Sequence, residues 1–190
     1  TELCAELLKE LTEKEFPVMD DSCGERMQEC IISAAADKNS VGGIIECAAA
    51  GVKPGIGSPF FAPLEGLISS LMFSIPAVKG VEFGKGFELA EMHGDRANDE
   101  FFTDGKSIFT KTNNNGGING GISNGMPIIF SVAIKPTPSI AKPQNTVDTA
   151  KMENTEIEIK GRHDPCIVQR AAAVVECCTA IALLEAILYD

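Results

Sequence analysis

The chain has 190 residues, of which 44% are hydrophobic, which is enough for one substantial core. Its formal net charge of −11 argues against nucleic-acid binding, because that binding depends on Lys and Arg neutralising phosphates. Arg170, Glu176 and Glu185 interrupt the apolar C-terminal segment, which argues against a membrane span. The first residues form an acidic amphipathic pattern and not a signal sequence, so we expect a cytoplasmic protein.

The cysteines do not form a metal-binding pattern. The chain contains 7 of them, an odd number, and no two have the two-residue spacing of a structural zinc site. We therefore expect reduced thiols and no metal site.

The first part of the chain predicts helices on either side of one strand. Apolar residues at helical spacing predict helices over residues 2–14 and 21–37. Residues 40–50 predict a strand whose glycines permit close approach of another backbone. Leucine, isoleucine and methionine at helical spacing predict a helix over residues 63–73.

The middle of the chain predicts strands and one long loop. Alternating residues predict a hairpin over residues 77–92, and residues 127–134 predict a further strand. Residues 93–126 predict a long irregular loop, functional or mobile, because long loops within a domain are usually one or the other. Residues 155–159 predict an edge strand.

The C-terminal segment predicts a long buried helix over residues 166–189, with a charged group before it. Asp164 followed by Pro165 predicts the helix start, with the carboxylate capping free N–H groups. Arg162 and His163 would then lie at the positive end of the helix dipole, where an anion can bind. In the alternative interpretation, Asp164 is only a cap and Arg162 only a surface charge.

A second candidate site follows the strand predicted over residues 127–134. Lys135–Ser139 places one ammonium and two hydroxyls on a backbone that two prolines stiffen. Together the predicted elements indicate one α+β domain over residues 1–190, with antiparallel pairs and a long C-terminal helix.

Several motifs of the chain closely resemble chorismate synthase in the identity, order and spacing of their residues. They are Ser40–Gly43, Gly55–Pro59, Ala77–Glu82, Thr112–Gly125, Val132–Ile140 and Gly161–Cys166. The resemblance begins at about Phe16 and covers the C-terminal half of the family. The resemblance implies an enzyme that eliminates phosphate from 5-enolpyruvylshikimate 3-phosphate to give chorismate, with reduced FMN and no net redox change. It also implies antiparallel sheets with helices packed between them and a homotetramer.

The resemblance also implies roles for particular residues. The residues that match the family's flavin contacts are Pro76, Ala77, Gly120, Lys135, Pro136, Thr137, Pro138, Ser139 and Arg162. Asp164 is implied to lie near flavin and substrate and to help proton transfer. Arg162 is implied to stabilise the negative charge that develops on the departing phosphate.

Two alternatives remain open from the sequence. The family's catalytic histidines and substrate-binding arginines have no counterpart in this chain, so we expect it to be inactive alone and to self-associate through apolar patches. A different class of function is a non-catalytic scaffold or oligomerisation module that does not bind flavin. A further idea is a general phosphate-binding module that uses Lys135.

Overall fold

The computed structural model describes residues 2–161 and 163–189. Its helices are α1 (Glu2–Glu13), α2 (Asp21–Ala36), α3 (Leu64–Ser74), α4 (Gly94–Ala97) and α5 (Val168–Tyr189). Its strands are β1 (Gly43–Ala49), β2 (Val78–Phe83), β3 (Phe101–Thr103), β4 (Ile108–Thr110), β5 (Ile118–Asn119), β6 (Ile122–Ser123), β7 (Ile128–Ile134), β8 (Gln144–Asp148) and β9 (Glu153–Ile157).

The main sheet is antiparallel and has the order β1-β7-β2. Its central strand, β7, alternates strictly: Ile128, Phe130, Val132 and Ile134 are buried and the residues between them are half-buried. That period of two gives the sheet one apolar face. The predicted mixture of helices and antiparallel strands is therefore confirmed.

Two helices cover the apolar face of the sheet. Leu64, Ile68 and Met72 of α3 recur at spacing four and are fully buried. On α5, Val175 and Ala182 are also fully buried. The core thus lies between one sheet face and a layer of two helices, because each element has one apolar side to remove from water.

The prediction of a buried C-terminal helix is correct for only one stripe of α5. The helix contacts α3 and β1 on that side, and the opposite side is exposed, up to 74% at Leu188. The exposed apolar residues recur at spacings of three and four: Val174, Cys177, Ile181, Leu184 and Leu188. By length and composition alone, Val168–Leu188 could cross a membrane, although its charged residues had indicated otherwise.

The predicted hairpin over residues 77–92 is wrong in its second half. After β2 the chain forms a 3-10 helix, Gly86–Glu91, because Gly84 and Gly86 both adopt positive φ and turn the backbone. Phe87 N then donates to Glu82 Oε2 at 3.3 Å. The partner of β2 is β7, which lies far along the sequence.

The stretch 93–126 is more ordered than a single irregular loop. It contains α4 and two small hairpins, β3–β4 and β5–β6. The sequence analysis also missed β8, which pairs with β9 in a separate two-stranded sheet. These strands have two to five residues, and such short runs carry little periodic signal.

Candidate functional site

Two of the segments predicted to bind a cofactor meet at one end of the main sheet. Ala77 directly precedes β2 and Lys135 directly follows β7, and the two strands are antiparallel neighbours. Lys135 N donates a hydrogen bond to Ala77 O at 2.9 Å. Ala77 has φ 74, an unfavourable value for a residue with a Cβ, and this contact helps to hold it there.

The segment before β1 links the C-terminal motif to the same place. Ser40 Oγ donates to Thr137 O at 2.6 Å, and Val41 N donates to Pro165 O at 2.8 Å. Gly42 is required for this approach, because a Cβ there would overlap the Ile134 carbonyl oxygen. Three predicted segments therefore converge: residues 76–77, 135–139 and 163–166. We call their meeting point the convergent site.

The convergent site offers polar groups that the described residues do not use. Lys135 is exposed and its ammonium forms no ion pair with a carboxylate of the described side chains. Thr137 Oγ1 is buried and has no hydrogen-bond partner. A buried hydroxyl without a partner is costly, so this atom is suited to a ligand that accepts or donates a hydrogen bond.

Asp164 does not cap the C-terminal helix as predicted. Helix α5 begins at Val168, two residues later than expected, which places the Asp164 carboxylate before the first turn. Asp164 Oδ2 instead accepts from Arg170 Nη1 at 2.9 Å. The sequence did not show this, because it left open that Arg170, the third residue of the helix, pairs with the same carboxylate.

Of the other two ionisable residues in this motif, the structure describes His163 but not Arg162. Arg162, expected to bind flavin and phosphate, lies outside the described residues. His163 Nε2 lies 2.8 Å from Ile159 O, and this geometry requires Nε2 to carry the proton, since a carbonyl oxygen only accepts.

Gly120 lies at the opposite end of the sheet from the convergent site. Its neighbour Gly121 accepts from Leu64 N at 3.0 Å, at the start of α3, whereas Ala77 follows the end of that helix. Strand β7 also separates the two places, and its seven residues at about 3.3 Å each span roughly 20 Å. The structure therefore does not bring Gly120 together with the other predicted cofactor residues.

Most glycines of the Asn/Gly segment serve internal packing. A Cβ on Gly116, Gly117 or Gly121 would overlap a carbonyl oxygen of the chain itself. Gly120 has φ 61 and nothing within 4 Å of an added Cβ. Within this segment, open space for a ligand is therefore found at Gly120 and not at those three glycines.

Sequence analysis missed one buried carboxylate, Asp99, which is only 3% exposed. Its Oδ1 accepts from Thr112 Oγ1 at 2.6 Å and from Asn114 N at 2.7 Å. Its Oδ2 accepts from Asn115 N at 2.9 Å and Asn115 Nδ2 at 2.8 Å. Burial raises the Asp99 pKa, but these hydrogen bonds outweigh it and lower the pKa below its ordinary value. The available sequence signal was an Asp before a strand and a run of three asparagines that could donate to it.

We expect Asp99→Asn to lower the free energy of unfolding at pH 7 by about 2–3 kcal/mol, because an amide cannot accept four hydrogen bonds as the carboxylate does. The folded-state pKa is depressed, so this stabilisation is present above the unfolded-state pKa and lost as pH falls through the folded-state value. The difference between wild type and variant should therefore shrink below about pH 4. Urea unfolding of the wild type and the variant at pH 7 and pH 3 measures this difference in the free energy of unfolding.

Asp104→Asn is the matched control for this substitution. Asp104 accepts from two backbone N–H groups in the exposed β3–β4 turn, and an amide oxygen can replace it there. A loss at Asp104 equal to that at Asp99, or a difference at Asp99 that is as large at pH 3 as at pH 7, would contradict the role of the buried charge.

A sequence profile of the family described as chorismate synthase matches residues 3–188. The chain belongs to the chorismate synthase family. A curated chorismate synthase from Methanocaldococcus jannaschii is 50% identical over 171 residues, which cover 89% of this chain and 45% of that protein. Another from Pyrococcus abyssi is 47% identical over 183 residues, which cover 96% of this chain and 51% of that protein.

A solved structure supports the fold as well as the family. A crystal structure of chorismate synthase matches with a TM-score of 0.70 and 35% identity, over 87% of this chain and 43% of that chain. The chain thus spans about half the length of the chorismate synthases that it matches. The expected resemblance to part of this family is confirmed.

Proposed function

We propose that this chain forms part of a chorismate synthase that converts 5-enolpyruvylshikimate 3-phosphate to chorismate. The observation that supports this proposal most directly is the convergent site in a member of this lyase family. In the proposed anti-1,4-elimination the C–O bond to phosphate breaks and phosphate leaves with the electron pair. A ring proton is lost, a new double bond forms, and the net oxidation state does not change.

The residues of the convergent site fit a flavin phosphate or a substrate phosphate. The Lys135 ammonium is free to pair with an anion, and the Thr137 hydroxyl can donate to a phosphate oxygen. Ser139 follows on the same stiffened segment, between Pro138 and Ile140. We propose that Pro76, Ala77, Lys135, Pro136, Thr137, Pro138, Ser139 and Arg162 hold reduced FMN, which when bound supplies an electron-rich ring beside the substrate.

The chain's own ionisable groups have distinct proposed roles. Asp164 Oδ2 accepts a hydrogen bond from Arg170 Nη1, and we propose that this carboxylate accepts a proton when a ligand displaces that arginine. Arg162 is proposed to stabilise the departing phosphate. Gly120 is proposed to contact flavin through its open backbone, at the far end of the sheet from the rest of the set.

We expect the full 190-residue chain to quench FMN fluorescence on titration, and Lys135→Ala to weaken that binding about tenfold. The physical reason is the loss of a charge-assisted hydrogen bond to phosphate. Lys106→Ala is the control, since Lys106 lies in the exposed β3–β4 turn. Unchanged affinity in Lys135→Ala would remove the Lys135–Ser139 segment from the proposal.

A second candidate function is a scaffold or oligomerisation module without flavin binding. The uncovered apolar stripe of α5 favours it, because such a stripe at helical spacing suits packing against another helix. Absence of FMN quenching by the wild-type chain, together with self-association, would favour the scaffold over the enzyme.

Further properties of the family extend the proposal. We propose that residues 1–190 form one domain, that the segment 93–126 is functional through Gly120, and that the assembled enzyme is a cytoplasmic homotetramer. The exposed stripe of α5 supports an assembly in which other subunits, or another part of the polypeptide, cover this helix. Apolar patches of this kind usually mark an interface.

A further inference from the structure

Thr137 is the residue of the Lys135–Ser139 segment whose backbone keeps the most freedom, because it lies between two prolines. Pro136 and Pro138 fix their own φ and have no N–H group, and each restricts the residue before it to extended backbone. Within that extended range, the torsions of Thr137 still decide where its side chain points. A contact that holds the Thr137 backbone therefore also sets the direction of the Thr137 hydroxyl.

Ser40 supplies such a contact from a distant part of the chain. Its Oγ donates to Thr137 O at 2.6 Å, across 97 residues of sequence. This carbonyl belongs to the peptide plane between Thr137 and Pro138, so a fixed direction of the oxygen fixes ψ of Thr137. Gly42 lies against the preceding residue, since an added Cβ there would be 3.0 Å from Pro136 N.

The backbone around Ser40 is itself held by the end of α2. Lys38 has φ 54 and its N donates to Ala35 O at 3.0 Å, while Asn39 N donates to Ala34 O at 2.8 Å. These are the two paired contacts of a Schellman motif, which ends a helix in a defined direction. Asn39 Oδ1 then accepts from Ser40 N at 2.9 Å. The Ser40 hydroxyl thus projects from a backbone of defined position.

Other contacts anchor the same region without Ser40. The Asp37 carboxylate at the end of α2 pairs with the Lys142 ammonium, and Lys142 lies three residues after Ser139. Gln144 Nε2 donates to Pro138 O at 3.2 Å. Because these contacts remain when the Ser40 hydroxyl is removed, we expect Ser40→Ala to fold and to change the segment only locally.

We propose that Ser40 is a positioning residue for ligand binding: its hydroxyl holds Thr137 so that Thr137 Oγ1 donates to a phosphate oxygen of FMN. This inference rests on the function proposed above for the Lys135–Ser139 segment. Thr137 Oγ1 is buried and has no partner among the described residues, whereas the Ser40 proton is engaged by the Thr137 carbonyl. A buried hydroxyl that is held without a partner gains a hydrogen bond when a ligand binds, and loses that gain when it can turn away.

Titration of FMN fluorescence with the full chain tests this inference through a double-mutant cycle. Ser40→Ala should weaken FMN binding about fivefold, and Ser40→Thr, which keeps the hydroxyl, should stay within about twofold of the wild type. Thr137→Val removes the hydroxyl that Ser40 positions, so Ser40→Ala should weaken binding no further in that background. Additive losses, or an unchanged affinity in Ser40→Ala, would overturn the inference.

Thr103→Val is the matched control, because Thr103 Oγ1 also donates to a backbone carbonyl, that of Ser107, at 2.8 Å. It lies in the exposed β3–β4 hairpin, and its replacement should leave FMN affinity unchanged. Urea unfolding of each variant separates the two roles, since a purely structural contact changes the free energy of unfolding and not the affinity of the folded chain. Equal weakening of FMN binding in Thr103→Val would contradict a specific role of Ser40.

The Thr137 side chain in the ligand-free chain separates this inference from the proposed function. Three-bond NMR couplings report χ1 of Thr137, and we expect one rotamer in the wild type and in Ser40→Thr, and averaging over rotamers in Ser40→Ala. Unchanged couplings in Ser40→Ala would overturn the inference even if FMN binds. Averaged couplings together with no FMN quenching by the wild type would reject the proposed function and support the positioning of Thr137 by Ser40.

Discussion

Gly84→Ala is expected to lower the free energy of unfolding by at least about 4 kcal/mol. Gly84 has φ 56, and an added Cβ would overlap the Asn114 carbonyl oxygen and lie 2.5 Å from Gly116 N. Both contacts are backbone atoms, which cannot rotate away as a side chain can. Gly84 N also donates to Ile129 O at 2.9 Å, so a shift would break pairing beside β7.

Gly105→Ala is the control for Gly84→Ala because it separates backbone strain from overlap. Gly105 has φ 88 and nothing within 4 Å of an added Cβ. We expect it to cost only about 1–2 kcal/mol, from the positive φ alone. Chemical denaturation of both variants gives the comparison. A loss at Gly84 no greater than that at Gly105 would show that the neighbouring backbone can relax.

Phe130→Ala is expected to lower the free energy of unfolding by about 3–5 kcal/mol. Phe130 is fully buried in the middle of β7, and its ring centroid lies 5.6 Å from that of Phe83 on β2. Removal of the ring loses its apolar contacts and leaves a cavity against α3 and α5, which neighbouring side chains fill only in part. At this chain length the melting temperature should fall by about 10 °C.

Phe87→Ala tests whether burial, and not the loss of an aromatic ring, causes that effect. Phe87 is 85% exposed on the 3-10 helix after β2. Its replacement should change the melting temperature by about 2 °C or less. A large loss at Phe87 or a small one at Phe130 in differential scanning calorimetry would contradict the assignment of the core.

Local pattern was sufficient for the longer elements. The leucine spacing of α1, the apolar spacing of α2 and the alternation of β7 each appear within a few residues, and the ends of these elements were predicted to within one residue. Asp20 Oδ1 accepts from Ser22 N at 2.9 Å, which is the capping contact that such a residue provides. Local chemistry of this kind operates in the same way before and after folding.

The candidate site depended on more than local pattern. The motifs around Lys135 and Asp164 were found in the sequence, but their meeting required Ser40 and Val41 to bond to Thr137 and Pro165. The same holds for Asp99, whose donors lie 13 to 16 residues away. Asp164 does not cap α5 because the helix begins four residues after it, and its carboxylate pairs with Arg170 of the first turn instead.

The sequence by itself determined the family, the apolar faces of α3, α5 and β7, and which segments are candidates for binding an anion. Only the tertiary structure decided which segments meet, that Gly120 lies at the far end of the sheet, and that α5 buries one of its two apolar stripes. The physical reason is that periodicity reports which side of an element is apolar. Whether that side is covered depends on segments that are distant in the sequence, and on the sum of many small contact free energies between those segments.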